Sequence, residues 1–109
     1  MDEKLWNQRK QSAADWFRQL RDALCARLES LEPEGAVFDR KAWQRKDHAG
    51  DGSEDLGGGE MSMLHGQAFE KAGVHISTVY GVFSEEFRKQ VAGAEDDPRF
   101  WAGGISVII

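Results

Sequence analysis

The sequence predicts an α+β fold in which one amphipathic helix packs on a partial antiparallel sheet, and three observations carry that prediction. Apolar residues recur at three- and four-residue spacings between about Ser12 and Leu31, the period of a helix with one buried stripe. Two later runs, Met61 to His65 and Val74 to Tyr80, alternate with period two, as strands do. The final ISVII is β-branched at every position except Ser106, which suits a strand.

The helical stripe consists of Ala13, Trp16, Phe17, Leu20, Leu24, Leu28 and Leu31, with Arg18, Arg21, Asp22, Arg27 and Glu29 largely off it. Pro33 and Gly35 supply the stop. Cys25 reads as a small buried apolar residue of the same helix. Ala36 to Lys46 alternates imperfectly and reads as a strand or an irregular extended segment. DHAGDGSEDLGGG, residues 47–59, is rich in glycine and acid, so a mobile loop is expected there. The two alternating runs are expected to form a hairpin closed around Glu70 to Gly73, with Gly73 free to take a positive φ. Ser84 is placed to cap a short helix whose first turn carries Glu85 and Glu86, and Gly93 to end it. A loop through Asp96, Asp97 and Pro98 then leads to Phe100, Trp101 and the pair Gly103 and Gly104. ISVII is expected to be buried on both faces. Because the chain stops inside that apolar run, it reads as truncated within a strand.

A length of 109 residues with 40% apolar and 30% charged residues allows one domain and suits a soluble chain. There is no apolar run of membrane-spanning length, and MDEKLWNQRK lacks the regions of an export signal, so a cytoplasmic location is expected. The single cysteine excludes an intrachain disulfide and a cysteine-based metal site. A net charge of −5 disfavours nucleic-acid binding, which depends on neutralising phosphates. The local basic group Arg40, Lys41, Arg45 and Lys46 still suits a small anion.

The motifs that suggest chemistry are mostly incomplete. Asp51, Ser53 and Asp55 start like a calcium loop, but Leu56 stands where its glycine belongs and the closing glutamate is misplaced. Gly57 to Gly59 lack the Gly-Lys-Ser/Thr of a phosphate loop and have no helix behind them. His48, His65 and His75 show no metal-ligand spacing. His75 and Ser77 share a strand face, yet the sequence places no third group to orient the histidine as a base. Glu70 and Lys71 suit either an exposed turn pair or a general acid with its partner. Composition and spacing therefore define an α+β piece without a complete catalytic constellation.

The arrangement as a whole is more specific. WQR at Trp43 to Arg45, GGGEMSMLHGQAFEKAGVHISTVYG from Gly57 to Gly81, SEEF from Ser84 to Phe87, and DPRFWAGGISVII from Asp97 to Ile109 together resemble the N-terminal part of oxygen-dependent coproporphyrinogen III oxidase. The most diagnostic portion is FEKAGVHISTVYG. His65 stands where a basic or variable residue is common in that family, and Tyr80 where histidine is usual.

The resemblance implies an enzyme of haem biosynthesis that oxidatively decarboxylates two propionates of coproporphyrinogen III to vinyl groups, giving protoporphyrinogen IX, carbon dioxide and hydrogen peroxide. Molecular oxygen is the implied co-substrate. Bacterial members are often described with a divalent metal and others work without metal or organic cofactor, so no cofactor is implied for this chain itself. The implied fold is a broad helix-flanked antiparallel sheet assembled as a homodimer, of which residues 1–109 are one N-terminal portion. The segment Ser62, Met63, Leu64, His65, Gly66, Gln67, Ala68, Phe69, Glu70 and Lys71 corresponds to the dimer-forming region. The proton donor, further histidines and a substrate arginine of the family lie in a histidine- and proline-rich continuation, so this chain is expected to be inactive by itself. Ser106 is the one substrate-binding position that carries over. A free-standing, non-catalytic binding or dimerisation module is the alternative, to be distinguished by what the reading frame encodes after Ile109.

Overall fold

The computed structural model describes residues 2–46 and 54–109. His48, Asp51 and Ser53, singled out above, lie outside the described residues. A long helix α1, Glu3–Ser30, precedes four strands: β1 (Asp39–Gln44), β2 (Gly57–Leu64), β3 (Ala72–Val82) and β4 (Arg99–Ile108). The strands form one antiparallel sheet in the order β1-β2-β3-β4, each beside its neighbour in sequence, as short connections favour. The expected α+β arrangement is therefore the one observed.

The helix starts earlier than its apolar stripe. Asp2 caps it, its carboxylate accepting the Lys4 N–H at 3.1 Å, which satisfies one of the donors that every helix start leaves over. Only the C-terminal half is well covered: Cys25 and Leu28 are buried, whereas Trp16 is 58% exposed and Leu31 51% exposed. The expected stripe is thus too long at both ends among the described contacts. Conversely, Arg21, expected off the stripe, is buried. Its guanidinium meets Asp22 and Glu60, each at 2.7 Å, and a buried charge is tolerable when paired in this way.

Directly opposed residues of antiparallel strands share a face, so the register divides the sheet. Toward α1 point Leu64 and Ala72, Ser62 and Val74, and Glu60 and Ile76, with Ile105 paired to Ile76 on the same side. Leu64, Ala72 and Val74 join Cys25, Leu28 and Phe38 in the core, and Leu24, Phe69 and Ile105 pack against it. Full burial of a side chain such as Leu64 is typically worth about 1.5–3 kcal/mol.

Several expectations need correcting. Gly57 to Gly59 are strand residues, because here the strands approach too closely for side chains. A methyl group on Gly57, Gly58 or Gly59 would strike the carbonyl oxygens of Thr78, Trp43 and Ile76 respectively. Gly73 has no positive φ. It is a buried residue of β3, and the connection between β2 and β3 spans residues 65–71. The helix after Ser84 is a single 3-10 turn, Phe87–Gln90, with the Phe87 N–H donating to Ser84 Oγ at 3.1 Å. Finally, ISVII is not buried on both faces: Ser106, Val107, Ile108 and Ile109 are exposed. The strand β4 is at the end of the sheet order, and α1 covers one face only.

Candidate functional site

The face of the sheet turned away from α1 carries Ser106 and the pair His75 and Ser77, which sequence reasoning singled out. In the register, His75 opposes Ser106 and Ser77 opposes Gly104, while Met61 opposes His75 and Gly59 opposes Ser77. Ser106, His75, Ser77 and Gly104 therefore form one patch across β3 and β4. The shared face of His75 and Ser77 is as expected, and Ser106 shares its strand face with Gly104 and Ile108.

The patch is open where its residues are small. Among the described residues, its chain neighbours apart, nothing lies within 4 Å of the position a Cβ would take at Gly104. On one side the Trp43 indole leans over Gly59, its Cζ2 2.8 Å from where a Cβ would stand. On the other, the His75 ring covers Gly73, with Nε2 2.7 Å from the corresponding point and the Met63 sulfur at 3.3 Å. The Nδ1 atom of His75 is buried without a hydrogen-bond partner among the described residues. Gly104 thus leaves open space beside Ser106, while an aromatic ring lies over Gly59 and an imidazole and a thioether over Gly73 on the same face.

A second concavity lies on the α1 side. A cleft of about 900 Å³ opens between the N-terminal half of the helix and the ends of β3 and β4, lined among others by Trp6, Lys10, Tyr80, Arg99 and Trp101. Sequence reasoning missed it, since it depends on how the polar first turns of α1 cross the sheet. Its cations are engaged. Lys10 Nζ sits 5.9 Å from the Trp6 ring centroid, and Arg99 bridges Asp97 at 2.8 Å and Glu3 at 3.5 Å. The hydrogen bonds from Arg99 hold the Asp97 carboxyl at about 2. An anionic ligand there would compete with these carboxylates.

The basic group expected to suit an anion is not assembled either. Arg40 is paired with Asp22 at 2.8 Å. Arg45 donates to the Tyr80 carbonyl at 3.0 Å and lies 5.4 Å from the Phe100 ring centroid. Burial works to raise the Asp22 carboxyl, but hydrogen bonds from Arg40 and Arg21 outweigh it and the net direction is down. Burial pushes the Cys25 thiol up, the opposite of what a reactive cysteine needs. Among the described residues no three His, Cys, Asp or Glu side chains converge as a metal site, and no helix is long and apolar enough to cross a membrane.

The segment 62–71 divides by exposure. Ser62 and Leu64 are buried, Met63, Gly66 and Phe69 are half-buried, and His65, Gln67, Ala68, Glu70 and Lys71 are exposed. The exposed residues are those that another molecule can reach. One residue that sequence reasoning did not single out controls this segment: the buried Glu32, whose carboxylate accepts backbone N–H groups of Gln67, Ala68 and Phe69. Burial works to raise this carboxyl, and the backbone hydrogen bonds more than offset that, so it lies below the usual carboxylate range.

Fold and patch together define a helix-backed antiparallel sheet whose face away from α1 carries Ser106, His75, Ser77 and Gly104. Residues 12–109 match the coproporphyrinogen III oxidase family, and the chain belongs to that family. It is 45% identical over 107 residues to the oxygen-dependent coproporphyrinogen-III oxidase of Rickettsia felis, a match covering 91% of this chain and 36% of that protein. The same enzymes of Rickettsia akari and Rickettsia bellii are 44% and 43% identical with the same coverage. The chain thus spans about a third of the length of the curated relatives it matches. No solved structure matches it.

Proposed function

We propose that this chain is part of an oxygen-dependent coproporphyrinogen III oxidase and supplies one wall of its tetrapyrrole site. The reaction is the oxidative decarboxylation of two propionates of coproporphyrinogen III to vinyl groups, giving protoporphyrinogen IX for haem. Oxygen is the co-substrate. The observation that carries this reading is the position of Ser106. The residue selected by resemblance lies exposed on the open face, beside the vacant space over Gly104 and opposite His75.

In this role Ser106 Oγ donates to, or accepts from, a polar group of the substrate, and Gly104 lets the macrocycle approach the backbone. Trp43 and the methionines Met61 and Met63 offer apolar contact at the border, which orients a flat ring without reacting with it. The described residues provide no metal ligand set, and none of these roles passes through a metal. The family's proton donor has no counterpart among these 109 residues, so binding without turnover is the most that they show alone. Association as a homodimer through Ser62 to Lys71, in the cytoplasm, completes the proposal.

The test is an anaerobically prepared coproporphyrinogen III assay on the full-length protein containing this chain and on residues 1–109 alone. Oxygen-dependent protoporphyrinogen formation by the full-length protein only is the expected result. Turnover by residues 1–109 at a comparable rate would show that the catalytic groups have been misplaced, since positioned proton transfer is worth about 10² to 10⁴ in rate.

A further inference from the structure

The connection between β2 and β3 has little internal support. The Gly66 N–H donates to the Phe69 carbonyl at 2.8 Å, which closes the turn. The next three amides all turn to one side chain about 35 positions earlier. Gln67 N–H reaches Glu32 Oε1 at 2.6 Å, Ala68 N–H reaches the same oxygen at 3.1 Å, and Phe69 N–H reaches Oε2 at 2.9 Å. Gly66 passes so close that a Cβ there would overlap the carboxylate, standing 2.6 Å from Oε2.

Glu32 is itself well placed to act as a fixed post. It is 7% exposed, and its N–H donates to the Glu29 carbonyl at 3.1 Å, just beyond the end of α1. The Glu29 carboxylate in turn accepts the Phe38 N–H at 2.8 Å. The end of the helix, the approach to β1 and the 66–69 turn therefore share one anchored corner. Phe69 inserts against the core from the turn, leaving Gln67, Ala68, Glu70 and Lys71 outside.

We infer that Glu32 is a positioning residue for self-association: its carboxylate moulds the 66–69 turn and so pre-forms the surface that a second copy of this chain meets. The inference rests on the homodimer reading proposed above. Its physical basis is the entropy of ordering. A loop already held in its bound shape does not have to be fixed at the moment of association, and charge-assisted bonds to backbone N–H groups are strong enough to hold it. The adjacent opposite charges of Glu70 and Lys71 also suit a two-fold contact, in which Glu70 of one copy meets Lys71 of the other.

The experiment compares wild type with Glu32→Gln in the full-length protein, measuring backbone amide exchange at residues 67–69 and the dimer dissociation constant by sedimentation equilibrium. Glutamine keeps the size of the side chain but replaces one acceptor oxygen by a donor that faces the same amides. The expected result is faster exchange at 67–69 and a dissociation constant raised about tenfold or more, with secondary structure retained. Gly66→Ala attacks the same contact from the loop side and is expected to act likewise, so it decides the matter if Glu32→Gln does not fold. Faster exchange with an unchanged dissociation constant overturns the inference, as does unchanged exchange. A wild-type protein that stays monomeric at all concentrations overturns the dimer reading itself.

Discussion

Ser106→Ala in the full-length protein separates a ligand contact from a packing role. The hydroxyl is on an exposed residue of β4, so its removal leaves no buried group stranded, and stability should change by no more than about 0.5 kcal/mol. If the hydroxyl meets a neutral group of the tetrapyrrole, losing the hydrogen bond costs about 0.5–1.5 kcal/mol, or roughly a twofold to thirteenfold loss in kcat/KM. If it meets a charged propionate, about 1.5–3 kcal/mol is at stake and the loss extends to roughly 160-fold. A rise in KM with kcat preserved indicates a contact equal in ground and transition states. Gly104→Val is the companion variant. A β-branched residue suits a strand and meets open space at the Cβ position, yet it fills the space assigned to the macrocycle. The assays are steady-state kinetics and thermal melting on each variant. Unchanged kinetics in Ser106→Ala with a Tm lowered by several degrees would refute the reasoning, because it would make Ser106 a packing residue.

Other outcomes follow from the core and the ion pairs. Leu64 is fully buried between β2 and α1, so Leu64→Ala should destabilise by about 2–5 kcal/mol, measured by denaturant unfolding; a change below about 1 kcal/mol would show that the core is not formed there. Asp97 titrates at about 2 in the folded chain against an ordinary 3.8. A depressed folded value gives a contribution fully present above the ordinary value and lost as pH falls through about 2. The Tm difference between wild type and Asp97→Asn should accordingly be constant at neutral pH and shrink between pH 4 and 2, and a difference that grows on acidification contradicts this. Cys25, 1% exposed with a raised thiol, should react with a thiol reagent only as fast as the protein opens. Rapid stoichiometric labelling of the native state would place it at the surface.

Much of the architecture was legible because periodicity reports which side of an element is covered. The alternation around Val74 to Tyr80 located β3, and the register later placed Ser106 with Gly104 and His75 on one face. The helix start was hidden because Glu3 to Gln11 carry few apolar residues, and a cap at Asp2 rather than a buried stripe begins the helix. The triple glycine read as a loop, since composition cannot show that strands β1, β2 and β3 approach too closely there for side chains. Arg21 and Glu32 were misjudged or overlooked for a common reason. Charged residues are buried only where remote partners meet them, here Glu60 for Arg21 and the 67–69 amides for Glu32, and such pairings leave no local pattern. The exposure of ISVII was misread because composition describes what a strand is able to cover, whereas the sheet order decides what lies beside it.

The most direct test is the structure of the full-length protein with coproporphyrin III, the stable oxidised analogue of the substrate. The expected result is a macrocycle lying on the sheet face away from α1, over Gly104, with a polar group within hydrogen-bond distance of Ser106 Oγ. A macrocycle seated instead on the α1 side, among Trp6, Tyr80 and Trp101, would contradict the assignment of the open face as the substrate wall.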